Sequence, residues 1–189
     1  MAKTKCNLKI CVLLLTISVG FSACKNEEDL SVLPQETQSG KNTFGCNVEG
    51  KKFFGGYLVH FGIPPLTATY FSKQDLLTIN ADGKFDDKKQ GSMGMQVSNP
   101  KVNVTLKMKK VIFDYYPQNF PGTSSIFTEF GISGGGQIFI IKFDTINKIV
   151  SGRFSLTGKG AVDIDQFTGN DSIRITDGRF DIKLEMDNN

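Results

Sequence analysis

The chain has 189 residues, 22 Lys+Arg against 19 Asp+Glu, and a formal net charge of +3. Three of the lysines, Lys3, Lys5 and Lys9, precede an apolar run at the N-terminus, and the rest of the chain carries 19 charges of each sign; that balance leaves nothing to argue for nucleic-acid binding, which asks for a basic patch and a high pI. Of the four cysteines only Cys46 lies beyond residue 24, and His60 is the one histidine, so the body of the chain supports neither an intrachain disulfide nor a clustered zinc site.

In chain order, the first segment is a leader. Lys3, Lys5 and Lys9 form a basic start, Ile10 to Phe21 is apolar apart from Thr16, Ser18 and Gly20, and Ser22 and Ala23 are small. This three-part pattern predicts a signal peptide over residues 1–23. The apolar run falls short of the roughly 20 residues that span a bilayer. Ser22-Ala23-Cys24 then resembles a lipobox, with Phe21 where that pattern prefers Leu. The resemblance implies a bacterial lipoprotein whose mature N-terminus is Cys24, acylated on sulfur and amine and held at a membrane by more than one chain. Lys25-Asn26-Glu27-Glu28-Asp29 resembles the export signal that follows the lipidated cysteine in Bacteroidota lipoproteins, and implies an outer-membrane protein facing the cell exterior. Leu30 to Asn42 is polar, contains Pro34 and Gly40 and has no periodicity, so residues 24–42 are expected to be a lipidated cysteine and a mobile tether.

Residues 43–189 read as one all-β domain. Thr43–Val48, a Glu49-Gly50 turn and Lys51–Phe54 make a hairpin. Strands are expected at Tyr57–Phe61, Ala68–Ser72, Leu76–Ala81 (closed by Asp82-Gly83), Met93–Ser98, Val102–Met108, Lys110–Tyr115, Ile126–Phe130, Gln137–Phe143 and Ile149–Leu156. Within Val102–Met108 the apolar residues Val102, Val104, Leu106 and Met108 alternate with polar ones, the period of a half-covered strand. Ile138-Phe139-Ile140-Ile141 is the most apolar run and is expected to be central. Ser172–Thr176 and Arg179–Met186, joined by Asp177-Gly178, form a second hairpin signal. About ten strands at short, regular spacing, rich in Phe, Ile, Val and Thr, predict an antiparallel β-sandwich or a flattened β-barrel.

The stretch Leu33-Pro34-Gln35-Glu36-Thr37-Gln38-Ser39-Gly40-Lys41-Asn42-Thr43-Phe44-Gly45-Cys46, together with Gly152-Arg153-Phe154 and Ile175-Thr176-Asp177-Gly178-Arg179-Phe180, resembles the opening and close of a family of small Bacteroidota lipoproteins of unknown function. The resemblance implies no activity and transfers no site residues.

Loops are where chemistry is sought. Tyr115-Tyr116-Pro117-Gln118-Asn119-Phe120-Pro121-Gly122 holds three aromatics on a stiff backbone; Tyr115, Tyr116 and Phe120 are candidate ligand-binding residues, with capping of the core as the alternative. Asp163, Asp165 and Asp171 are oxygen ligands of the kind Ca²⁺ takes, but lack the EF-hand spacing and read as turn residues. Gly134-Gly135-Gly136 precedes a strand and not a helix, so it reads as a hairpin tip and not a phosphate loop. A Ser or Cys nucleophile has only His60 as an imidazole base, and Cys46 reads as a small buried hydrophobe. The sequence therefore predicts a non-catalytic binding domain without cofactor or metal, bound to the membrane through Cys24. The alternatives are a structural subunit of an envelope assembly and a lipocalin-like carrier of an apolar ligand.

Overall fold

The computed structural model describes residues 30–57, 64–87, 89–116, 127–130, 136–159 and 172–187. Every regular element among them is a β-strand: β1 (Thr43–Val48), β2 (Lys51–Gly55), β3 (Leu66–Phe71), β4 (Leu76–Phe85), β5 (Gln90–Ser98), β6 (Thr105–Lys107), β7 (Lys110–Tyr116), β8 (Phe127–Phe130), β9 (Gln137–Asp144), β10 (Ile149–Lys159) and β11 (Ser172–Asp187). All pairings are antiparallel except β3 with β11 and one isolated bridge, Val102 with Ile140.

The eleven strands belong to one sheet in the order β6-β9-β10-β11-β1-β2-β4-β5-β7-β8, with β3 joined to both β4 and β11. That double pairing closes five strands into a barrel. Along β4, residues 76–81 face β3 and residues 83–85 face β2. Along β11, residues 175–181 face β1 and residues 184–187 face β3. The β1–β2 hairpin thus fills one end of the gap between the two long strands, and β3 fills the other. β10, β9 and β6 extend the sheet beyond β11, and β5, β7 and β8 extend it beyond β4.

Period-2 alternation sets the core. On β4 the buried residues include Leu77, Ile79, Ala81 and Phe85, and on β5 Met93, Met95 and Val97. The register brings Leu77 to Val97, Ile79 to Met95 and Ala81 to Met93, and then Met93 to Phe113 and Met95 to Val111 on β7. Phenylalanines join the strands across the middle: Phe180 contacts Phe154, Phe154 contacts Phe44, Phe44 contacts Phe53, and Phe53 contacts Phe85 and Phe113, with ring centroids 5.2–6.5 Å apart. Each such side chain contributes about 1.5–3 kcal/mol when fully buried, so this aromatic chain is a main source of the driving force in a domain without disulfides.

The Glu49-Gly50 hairpin forms as expected, with φ of 49° and 81° at the two turn residues, the left-handed pair that a twisted two-residue connection requires. Four expectations are corrected. Asp82-Gly83 does not end a strand: β4 runs through to Phe85 and changes partner there, and Gly83 lies against the Phe54 carbonyl closer than a side chain permits. Asp177-Gly178 is not a hairpin turn: β11 is continuous over Ser172–Asp187, and Asp177, at φ 54°, is the extra residue of a β-bulge, since both β1 and β10 advance two residues there while β11 advances three. Val102–Met108 is strand only over Thr105–Lys107; Asn103 takes φ 59°, its amide bonds the Ile140 carbonyl, and Val102 and Val104 stand 44% and 47% exposed. Gln137–Asp144 is second from an edge and not central, covered on its far side only by the short β6. The strand expected at Tyr57–Phe61 lies outside the described residues after Tyr57, as does the leader through Asp29.

The fifth correction concerns the tether. From Leu33 to Asn42 the chain lies on the outer face of β1, β11, β10 and β9. A Cβ built on Gly45 would sit 2.6 Å from Pro34 and 3.3 Å from Leu33, so these two side chains pack directly on that glycine. Asp181, 1% exposed, accepts Thr37 Oγ1 at 2.5 Å and the amides of Ser39, Gly40 and Lys41 at 3.0, 2.8 and 3.2 Å. Lys142 Nζ donates to the Gln38 carbonyl, and Asn42 Oδ1 accepts the Lys183 amide. Gly40 is buried at φ 70°, a conformation that costs glycine little and a side-chain-bearing residue more. The segment is a strap, held by directed polar contacts, and not a mobile spacer.

Candidate functional site

The site is built from a repeated tripeptide. Gly152-Arg153-Phe154 on β10 and Gly178-Arg179-Phe180 on β11 run antiparallel with Gly152 opposite Phe180, Arg153 opposite Arg179 and Phe154 opposite Gly178. On the inner face each phenylalanine lies against the other strand's glycine: a Cβ on Gly178 would stand 2.6 Å from the Phe154 ring, and one on Gly152 2.9 Å from the Phe180 ring. Both rings are thereby buried, at 4% and 3% exposure. On the outer face the same register sets the two arginines directly opposite one another, an arrangement that is unfavourable for like charges.

The strap relieves that repulsion. Glu36 forms a two-pronged ion pair with Arg153, Nε to Oε1 at 2.5 Å and Nη2 to Oε2 at 2.7 Å, the fork geometry in which guanidinium and carboxylate match. The hydrogen bond from Arg153 outweighs burial, which acts in the opposite direction, and with the charges of Arg153 and Arg179 it holds the Glu36 carboxyl below its ordinary pKa. Arg153 is 60% exposed along its side chain, so solvent screens the pair and its contribution to stability is small. Arg179 donates to backbone carbonyls, Nη1 to Pro34 at 3.4 Å and Nε to Asp177 at 3.3 Å.

Beside the strap is an open cleft of about 400 Å³. One cross-strand row crosses its base: Thr105 on β6, Phe139 on β9, Arg153 on β10 and Arg179 on β11. Gln137 and Ser155, paired on β9 and β10, add an amide and a hydroxyl. Asp177 at the bulge also lines the cleft, its Oδ2 accepting Asn47 Nδ2 at 2.8 Å and Thr176 Oγ1 at 3.1 Å. The chemistry on offer is recognition: two cations, hydroxyl and amide groups and a half-buried ring.

The candidate ligand-binding residues that the structure describes, Tyr115 and Tyr116, are not on the strands that build the cleft. Tyr115 and Tyr116 end β7, opposite Gly91 and Gln90, in the part of the sheet beyond β4, whereas the cleft lies beyond β11. Phe120, His60, Asp163, Asp165 and Asp171 are outside the described residues, as are Cys24 and Lys25-Asn26-Glu27-Glu28-Asp29. Of the three consecutive glycines only Gly136 is described; it is buried, and its carbonyl accepts the Met108 amide. Cys46 on β1 is fully buried, and burial pushes its thiol pKa far up, so it stays protonated and packs as an apolar group. Among the described residues no group of three His, Cys, Asp or Glu side chains is placed to hold a metal ion.

Sequence reasoning missed Arg153, Arg179 and Glu36. The signal was the Gly-Arg-Phe tripeptide occurring twice: its glycines and phenylalanines drew attention, and its arginines did not. Compared with known proteins, the chain matches no family model, no curated protein and no solved structure.

Proposed function

We propose that the chain is an exported lipoprotein, anchored through Cys24 to the outer membrane and facing the cell exterior, whose β-domain is a non-catalytic binding module. The observation that carries the binding part is the outer-face cleft of about 400 Å³ with Arg153, Arg179, Gln137 and Ser155 at its wall, a size within the usual range of ligand sites. The anchoring part rests on the leader, the small residues before Cys24 and the acidic stretch after it. Docking of the strap connects the two. Ten residues separate Cys24 from Pro34, a reach of at most about 35 Å, so the cleft works close to the membrane surface rather than at the end of a long tether.

The barrel interior is filled by Phe44, Phe53, Phe85 and their neighbours, which favours binding on the outer face over carriage of an apolar ligand inside. The rival, a structural subunit of an envelope assembly, draws support from one feature: Val102 and Val104 stand exposed beside the three-residue edge strand β6. Affinity capture from envelope extract, run beside a glycan and peptide array, separates the two. A defined ligand whose binding is lost when Arg179 is changed supports the module; a stoichiometric protein partner insensitive to Arg179→Ala supports the assembly and overturns the module.

A further inference from the structure

We infer that the cleft binds a small, hydroxyl-rich ligand carrying one carboxylate, of the uronic-acid class, and that the ligand's carboxylate takes the place of Glu36 on Arg153. The inference rests on the reading of the domain as a binding module and specifies what it binds.

Four observations lead there. Arg153 is mostly exposed, yet its guanidinium already holds a carboxylate in the two-pronged geometry, at 2.5 and 2.7 Å. The occupant is part of the chain itself, and its hold is independent of the rest of the strap: Pro34 is seated on Gly45 on one side of Glu36, and Thr37, Ser39, Gly40 and Lys41 are bonded to Asp181 on the other. Glu36 can therefore leave Arg153 by side-chain rotation while the strap stays docked. Arg179, directly opposite Arg153, donates to the carbonyl oxygens of Pro34 and Asp177, so with Glu36 turned away two guanidiniums face one open cleft. Asp177 lines the same cleft, and its negative charge disfavours a dianion such as phosphate while leaving a monocarboxylate acceptable.

The rest of the lining narrows the class. Thr105 and Ser155 offer hydroxyls and Gln137 offers an amide, groups that both donate and accept and so suit sugar hydroxyls. Phe139 stands half-buried in the row between Thr105 and Arg153 and supplies an apolar surface of the kind against which the C–H face of a sugar ring packs. An acidic sugar satisfies all three requirements: one planar carboxylate, several hydroxyls and one apolar face.

The test is titration calorimetry of the mature protein in detergent micelles with a galacturonic acid trisaccharide, and with the neutral galactose trisaccharide as its control. Glu36→Gln removes the internal competitor without changing the shape of the side chain and should tighten binding of the acidic trisaccharide about tenfold, while Arg179→Ala should weaken it about tenfold, the scale of one charge-assisted contact. Each variant is accompanied by a thermal melt. Should Arg179→Ala fail to fold, Arg179→Lys keeps the charge, removes the fork and should still weaken binding. If Glu36→Gln binds no more tightly than the native protein, or the acidic trisaccharide does not bind either of them, the inference is overturned. If the neutral trisaccharide binds as well as the acidic one, the inference is overturned and the module reading stands. The module reading itself fails only when the array and the envelope capture also return no Arg179-dependent ligand.

Discussion

Asp181 is the residue on which the strap depends. It is buried, and it gathers one hydroxyl and three amides from a segment some 140 positions away in sequence. Burial by itself would raise its pKa, but the Thr37 hydroxyl and the Gly40, Ser39 and Lys41 amides outweigh that and hold the carboxyl below its ordinary value. The sign follows. A carboxyl whose folded pKa lies below its unfolded one adds stability that is complete above the unfolded value, near 3.9, and is lost as the pH falls through the folded one. The strap should therefore stay docked through neutral and mildly acidic pH and release only below about pH 4, as read from the amide NMR signals of Ser39, Gly40 and Lys41; release between pH 5 and 7 would contradict the assignment. Asp181→Ala leaves those donors without their acceptor and should lower unfolding stability by about 3 kcal/mol in urea denaturation. Gly178 is the other sensitive position. A methyl group there meets the Phe154 ring, so Gly178→Ala should cost about 1–3 kcal/mol by overpacking, measured in the same way.

At the scale of elements, most strands were legible from alternation. β4 and β5 alternate between a buried face and a more open one, and such a pattern follows from burial alone. What escaped has identifiable causes. Asp-Gly is a strong turn signal because both residues tolerate left-handed backbone, but Asp177 uses that tolerance for a bulge and Gly83 serves a close approach of β2, so the dipeptide reports local backbone freedom and not chain reversal. Val102 and Val104 alternate like a covered strand although they stand 44% and 47% exposed, because Asn103 turns the chain off the sheet. The strap escaped for a deeper reason. Apart from the packing of Leu33 and Pro34 on Gly45, its contacts are polar, and their partners Asp181, Arg153 and Lys142 are more than 100 residues away; a segment held this way has no periodicity of its own. The cleft was illegible for the same reason, since Glu36 and the two arginines meet only through the register of β10 on β11. Removing residues 30–41 should strip cover from Gly45 and Asp181 and lower the urea midpoint well below that of the intact chain, whereas removal of a mobile tether would leave the midpoint unchanged.

At the scale of the whole molecule, the fold is a five-stranded barrel with two three-stranded extensions, one leaving from β11 and the other from β4. Its N-terminal strap and its longest, last described strand are tied together, so the two ends of the described chain stabilise one another. The proposed anchor adds a prediction about thiols. With the leader removed and Cys24 acylated, Cys46 is the only free cysteine of the mature protein, and it is buried. A thiol reagent should find no reactive group in the native protein and one after denaturation; two would contradict acylation of Cys24. Changing Cys24 to Ala should move the protein from the membrane to the soluble fraction.

The claim on which the rest depends is that the segment after the proposed anchor is part of the fold and places Glu36 in the lining of the cleft. Native-state hydrogen exchange at the amides of Ser39, Gly40 and Lys41 tests it most directly. The account predicts protection lasting as long as that of amides in β10 and β11, and lost together with theirs on unfolding. Exchange at these three amides at the rate of an unstructured peptide, while β10 and β11 remain protected, would contradict it.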